Sequence, residues 1–161
     1  MHTTETLLEY LRTLGIETRT VTHAAVDTVE AAKLHRDGLP GAHTKNLFLK
    51  DKKGLMFLVT TDEDRAVDLK QLRSMLGVKS LSFASADRMM DCLGVIPGSV
   101  TPLAAVNDTG NRVTVAIDRK LLDRDIINVH PLVNTATTAM QTSDLIGFLE
   151  AVGHPALILD F

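Results

Sequence analysis

Cysteine is nearly absent from this chain and tryptophan is missing: 161 residues include one Cys, Cys92, and no Trp. One thiol cannot close an internal disulfide, which fits a reducing cytosol. Aromatic residues amount to 4% against 45% hydrophobic residues, so a core has to be assembled from Leu, Val, Ile, Ala and Met. Long apolar runs are lacking too; none reaches the roughly eighteen residues that a membrane-spanning helix needs, so no membrane partner is expected. Met1-His2-Thr3-Thr4-Glu5 offers no basic region followed by an apolar stretch, so no signal peptide is expected and the expected location is the cytoplasm. Basic charge is also short, with 17 Lys and Arg against 20 Asp and Glu and a net charge of −3. That balance argues against a protein that coats nucleic acid, DNA included. It leaves open an enzyme that touches only the end of an RNA. The local gatherings of positive charge, Lys50-Asp51-Lys52-Lys53 and Arg119-Lys120, read as solvated turns.

Several chemistries lack their residues as well. His2, His23, His35, His43, His130 and His154 show no pair at ligand spacing supported by a carboxylate or a second Cys, so neither a metal nor another cofactor is expected. No G-x-x-x-x-G-K-[ST] phosphate loop is present. Ser99 follows Gly98 but is not in a nucleophile elbow, because position 97 is Pro and position 101 is Thr. Cys92 lies beside Met89 and Leu93 on an expected apolar helix and reads as core rather than nucleophile.

What is present is a mixture of helix and strand signals. Leu7, Leu8, Leu11 and Leu14 repeat at helical spacing, with Thr3 or Thr4 as cap and Gly15 as stop. Residues 16–21 read as a strand. Thr28 can cap a short helix over 29–35, with Gly38 beyond it. Residues 47–49 and 55–60 flank a charged turn and predict a hairpin. Asp68 can cap a helix through Leu69, Leu72, Met75 and Leu76 that Gly77 ends. Ser85 can cap another over 86–93 that Gly94 ends. Strands are expected at 80–84, 126–129, 135–140 and 156–159, and a second hairpin joins 103–106 to 113–117. A last helix, capped by Thr142 or Ser143, runs to Val152. Hairpins interrupt any regular βαβ order, so the fold class is α/β with a mixed, largely antiparallel sheet surrounded by helices. The length suits a single domain over 1–161.

Three segments stand out chemically. Gly94-Val95-Ile96-Pro97-Gly98-Ser99-Val100-Thr101-Pro102-Leu103 is stiff at its prolines and free at its glycines. Gly98 can bring a backbone N–H close to a ligand, and such donors suit a carboxylate, a phosphate or the oxyanion of an ester. Read alone, it is first of all a Pro-Gly turn between a helix and a strand. Lys45 precedes Leu47-Phe48-Leu49 and is either a solvated strand end or a fixed cation for phosphate or ester charge. Asn46 beside it can donate and accept, and alternation turns it to the opposite face if a strand includes both. His130 precedes Pro131, which biases its backbone to extended geometry, and as a lone His it is either structural or a substrate contact.

These segments, in this order and at this separation, resemble the YbaK/prolyl-tRNA-synthetase editing-domain superfamily. Within it the chain is most similar to the free-standing Ala-tRNA(Pro) deacylase branch, ProXp-ala or PrdX. The resemblance extends from His23 and Thr28 to Gly153-His154-Pro155 and Asp160-Phe161. It implies one compact α/β domain with a curved central sheet and a pocket at its edge. It aligns Lys45 with the family's characteristic Lys. It lines an aminoacyl pocket with His130-Pro131-Leu132 and the following Asn134-Thr135-Ala136-Thr137-Thr138. Lys45 and Gly98 are then the expected catalytic groups, with Asn46, Pro97, Ser99, His130 and Asn134 as substrate contacts. The implied partner is the acceptor end of tRNA(Pro) carrying a misattached amino acid, with prolyl-tRNA synthetase or an elongation factor as transient companions. The implied reaction is hydrolysis of Ala-tRNA(Pro). Two rivals stay open, a deacylase of another tRNA such as Cys-tRNA(Pro) and a non-catalytic binding module. The 94–103 stretch departs from the Gly-Gly-Ile-Ser-Pro pattern of the Cys-specific branch.

Overall fold

Leu7 and Leu11 lie one turn apart on helix α1 (Thr4–Thr13), and both are fully buried. Thr3 caps this helix: its side chain accepts from the Thr6 N–H, and the Thr6 hydroxyl accepts in return from the Thr3 N–H. Helices α2 (Leu69–Leu76) and α3 (Ala86–Leu93) start at Asp68 and Ser85, whose side chains accept from Lys70 N–H and Arg88 N–H. They stop at Gly77 and Gly94 in left-handed conformation. These are the residue types that helix ends demand. Helix α4 (Thr142–Ala151) departs from expectation. Its cap is Gln141, with no side-chain cap bond. The Thr142 hydroxyl donates instead to the Arg124 carbonyl at 2.7 Å and its N–H to the Asp125 carbonyl at 2.8 Å, so tertiary partners replace the local cap.

The computed structural model describes residues 1–25 and 39–161. The helix expected over 29–35, with its cap Thr28, its stop Gly38 and His35, lies outside them. The strands are β1 (Thr18–Thr22), β2 (Ala42–Lys50), β3 (Met56–Asp62), β4 (Ser82–Phe83), β5 (Val113–Asp118), β6 (Ile126–Val129), β7 (Ala136–Gln141) and β8 (Leu157–Leu159). They form one mixed sheet in the order β1-β7-β6-β2-β3-β5-β8, with β4 beside β2. The β1–β7, β6–β7, β2–β3 and β2–β4 pairs are antiparallel. The β2–β6, β3–β5 and β5–β8 pairs are parallel. On the edge of β2 away from β3 the partner changes midway. Ala42 and His43 pair with Ile127 and Asn128 of β6, whereas Leu49 and Lys50 pair with Phe83 and Ser82 of β4. Thr44 still reaches β6 through its hydroxyl, which donates to the Asn128 carbonyl, and Phe48 already accepts from the Ala84 N–H, so, among the described residues, 45–47 lie at a gap between the two partners.

Three local readings give way. Residues 103–106, expected as a strand, lie in a 3₁₀ helix (Pro102–Asn107). Thr101 caps it, accepting from the Leu103 N–H at 3.3 Å, and Pro102 supplies a helical φ at its start. Residues 80–84 shrink to the two-residue β4. Strand β2 begins at Ala42 rather than Leu47, because the polar Thr44, Lys45 and Asn46 pair with Asp62, Thr61 and Thr60 of β3. Lys45 is therefore inside the strand and not at its mouth.

Both faces of the sheet are covered. Phe48, Met56, Leu58, Val115 and Ile127 meet α1, α3, α4 and the Pro102–Asn107 helix in the larger core. Leu49, Phe57, Val59, Ala116 and Leu159 meet Leu72 of α2 in the smaller one. Adjacent residues of β2 thus belong to different cores, as a two-residue period requires. Among the described residues, no helix is long and apolar enough to cross a membrane.

Candidate active site

Four residues, 96–99, form a hydrogen-bonded turn in which Ser99 N–H donates to the Ile96 carbonyl at 3.0 Å. Pro97 occupies the second position, and Gly98 occupies the third with φ of 87°. This is a type II turn, for which those two residue types are the natural choice. Ile96, Pro97 and Gly98 are exposed, whereas Val95 and Ser99 are buried at 1% exposure. The Ser99 N–H is occupied by the turn. The Gly98 N–H has no partner among the described residues and remains available to a ligand. Ser99 is thus enclosed beneath the turn, with its backbone donor already engaged.

His130 follows β6. Its Nδ1 lies 3.1 Å from the Ala136 carbonyl oxygen, which only accepts, so Nδ1 carries the proton and donates. Burial pushes the His130 pKa below its ordinary 6.5; the Ala136 bond works against that shift, and the nearby His23 adds to it. The ring is neutral at pH 7 and presents the Nε2 lone pair, which has no partner among the described residues. The loop holding it is braced from outside: the Thr4 hydroxyl donates to the Pro131 carbonyl at 2.6 Å. Leu132, buried at 7% exposure, takes φ of 70°, an uncommon conformation for a bulky residue. Asn134 sits in the turn before β7 and is half-buried. His23 is a neighbour that residue-by-residue reading had left without a role. Its ring lies 2.8 Å from the Thr137 hydroxyl, and its N–H donates to the Thr135 carbonyl at 2.9 Å.

Lys45 and Asn46 point to opposite faces of β2. Asn46 shares the face of Phe48; its side-chain oxygen accepts from the Thr60 hydroxyl at 2.6 Å. Lys45 shares the face of Leu47 and Leu49, and its ammonium enters no ion pair among the described residues. The last β2–β6 pair is His43 with Asn128. Carried two residues further, that parallel register sets Lys45 abreast of His130, where the strands part. Val95 and Val100, which flank the Pro97–Gly98 turn, are buried in the same core as Ala42, Phe48, Val129 and Leu132. The turn, Asn46 and the His130 loop are thus anchored on one core, with Lys45 across the sheet at the gap. Two open depressions formed by described residues lie elsewhere, about 560 Å³ against Met1, His2, Asn107 and Arg112, and about 520 Å³ against Leu8, Arg12, Ile16 and Thr20.

Residues 23–148 match the family model of the aminoacyl-tRNA editing domain. The chain belongs to that family. Prolyl-tRNA synthetase associated domain-containing protein 1 of Danio rerio is 42% identical over 157 residues, covering 96% of this chain and 85% of the relative. Prolyl-tRNA editing protein ProX of Acetoanaerobium sticklandii is 40% identical over 111 residues, 68% of each chain. A solved structure described as a candidate trans-editing enzyme for prolyl tRNA synthetase shares the fold with a TM-score of 0.73 at 18% identity, across 100% of this chain and 99% of that one. The protein is an aminoacyl-tRNA hydrolase of the editing-domain family. Two elements beyond the matched stretch are integral to its domain: Leu7 and Leu11 of α1 enter the larger core, and β8 pairs with β5.

An editing domain faces an ester that water already attacks slowly, so a covalent protein nucleophile is dispensable. The thiol agrees with this: Cys92 is buried, its S–H meets the Met56 sulfur at 3.6 Å, and burial pushes its pKa up. A high thiol pKa suppresses the reactive thiolate. The groups left are a backbone donor at Gly98, a neutral acceptor at His130, an amide at Asn46 and a free cation at Lys45. Groups of these kinds can orient an ester and stabilise negative charge on its carbonyl oxygen, and Lys45 stands on the opposite face of β2 from Asn46.

Proposed function

We propose that this protein is a trans-editing deacylase that removes alanine from mischarged tRNA(Pro). The observation that carries the reading is the type II turn at Pro97–Gly98, which engages Ser99 N–H and leaves Gly98 N–H open. Gly98 N–H donates to the ester carbonyl oxygen as a water attacks the carbonyl carbon. The bond to the ribose oxygen then breaks, that oxygen takes the proton given up by the attacking water, and alanine and free tRNA leave. His130 Nε2 accepts from the alanyl ammonium. Asn46, Pro97, Ser99 and Asn134 line the site, and Lys45 holds negative charge at the gap. The unit that acts is the whole of residues 1–161. The tRNA identity is supported by the relatives, whose names tie them to prolyl-tRNA synthetase and prolyl-tRNA editing. Prolyl-tRNA synthetase or an elongation factor delivers the substrate.

The need for such an enzyme is physical. A synthetase pocket that fits proline rejects the smaller alanine weakly, since each missing methylene is worth only about 1–3 kcal/mol. A second pocket that alanine enters and proline does not completes the sieve. Single-turnover hydrolysis of tRNA(Pro) charged with Ala, Cys, Ser or Pro tests this. Alanine is expected to be cleaved fastest and proline spared. Preference for Cys would transfer the protein to the other specificity. Equal cleavage of Ala and Pro would end the editing reading, because such an enzyme would destroy correct product.

A further inference from the structure

One feature outside the site has the chemistry of an RNA surface. Phe83 is 62% exposed on β4, although the chain has only five Phe. Lys52, Lys53 and Lys79 are exposed in the two segments that flank the β2–β4 pair, whereas Lys50, half-buried and paired with Ser82, alternates to the other face. The two segments are tied together, since the Lys52 N–H donates to the Ser80 hydroxyl at 3.0 Å. None of these lysines enters an ion pair among the described residues. The acid within their own turn, Asp51, is 7% exposed and directed inward, accepting from Lys53 N–H and Leu55 N–H at 2.9 and 2.8 Å. Three arginines elsewhere are already engaged with carboxylates. Arg65 pairs with Asp118 at 2.5 Å, Arg112 with Asp91 at 2.9 Å, and Arg119 with Asp160.

We propose that Phe83 and the neighbouring Lys52, Lys53 and Lys79 form the docking surface for the unpaired 3′ end of the tRNA, with Phe83 stacking on one base and the lysines meeting phosphates. This rests on the proposed reaction, in which Lys45 holds negative charge of the substrate at the gap. Phe83 pairs with Leu49, so the two share a face of the sheet, and Lys45 shares it four residues earlier. At about 3.3 Å per residue the separation along β2 is about 13 Å, which the last few nucleotides of a single strand can span. An exposed ring set among unpaired cations is the usual platform for unpaired nucleotides. A second copy of the chain is a poor occupant, because the strand edge offered by β4 is two residues long and the lysines would repel their own copies.

Binding of labelled, uncharged tRNA(Pro) tests the surface without requiring any chemistry, with thermal unfolding as the check on folding. Phe83→Ala is expected to weaken binding by about five- to a hundred-fold. Phe83→Leu, which keeps apolar area and loses the ring, should weaken it as well. Joint replacement of Lys52 and Lys53 by Ala should reduce the slope of log affinity against log salt by about 1.4. Parental binding by Phe83→Ala or Phe83→Leu overturns the proposal. So does a parental dimer, seen in sedimentation, that Phe83→Ala dissolves. If Phe83→Ala loses tRNA while the parent fails to hydrolyse alanyl-tRNA, the surface stands and the proposed reaction falls. If the parent hydrolyses alanyl-tRNA and all variants bind normally, the reaction stands and the surface falls.

Discussion

At His130 two influences oppose one another and burial prevails, so the folded ring gives up its proton at a pH below the ordinary 6.5. Between that lowered value and 6.5 the unfolded chain holds a proton here that the folded chain does not. Stability therefore rises with pH through this window, is fully present above 6.5, and is lost as the pH falls through the lowered value. His130→Asn should flatten that part of the stability profile, which urea unfolding at pH 7.5 and 5.5 will read. The same proton matters for hydrolysis, since only the neutral ring can accept at Nε2. The ratio of parental to His130→Asn rates should hold steady below pH 6.5 and collapse only as the ring charges. Lys45 is the converse case, an unpaired charge with little structural work to do. Lys45→Ala should shift stability by less than about 0.5 kcal/mol. Its single-turnover rate should nevertheless fall severely, and a folded variant with the parental rate would remove Lys45 from the site.

Among the elements, the Pro97–Gly98 turn is where backbone geometry and chemistry coincide. Gly98→Ala places a Cβ on a residue with φ of 87°, at a cost of roughly 1–2 kcal/mol. Removing or misaligning one oxyanion donor costs about a hundred- to a thousand-fold in rate. The expected variant folds, binds tRNA and hydrolyses poorly, and rate and affinity measured on one preparation will separate these effects. This turn was legible in the sequence because its determinants are two adjacent residues. The caps at Thr3, Asp68 and Ser85 were legible for the same reason. What escaped was set by distant partners. Gln141 opens α4 because Thr142 is engaged by Arg124 and Asp125. Lys45 lies within a strand because Thr61 lies opposite. No local pattern announces that His23 meets the His130 loop or that Leu132 adopts a left-handed backbone; both follow from the pairing of β1 and β7 and the bracing of that loop by Thr4.

For the whole molecule the governing quantity is charge. With a net charge of −3 and Arg65, Arg112 and Arg119 already paired, few phosphates can be neutralised at once. For about two to four phosphate contacts on the duplex relation, the slope of log affinity against log salt should fall between about −2 and −4. Titrations of uncharged tRNA from low to moderate salt will measure it. A slope near −8 would require a phosphate interface much wider than the lysines around Phe83. Fold class and the order of the site segments were readable along the chain. The placement of Lys45 and Asn46 on opposite faces was readable only conditionally, since it depended on where β2 starts.

The change of partner along β2 has a kinetic signature. Phe48 accepts from the Ala84 N–H, so the even-numbered peptide groups of β2 turn away from β3; that of Asn46 lies at the gap, while those of 45, 47 and 49 point into the ladder with β3. Solvent deuterium should therefore enter the Asn46 amide far sooner than the Leu47 amide, although the two are neighbours in one strand. A bound aminoacyl end that fills the gap should slow the first exchange and leave the second unchanged. Amide-resolved exchange, with and without a non-hydrolysable alanyl-tRNA mimic, would then trace the outline of the ligand on the backbone itself.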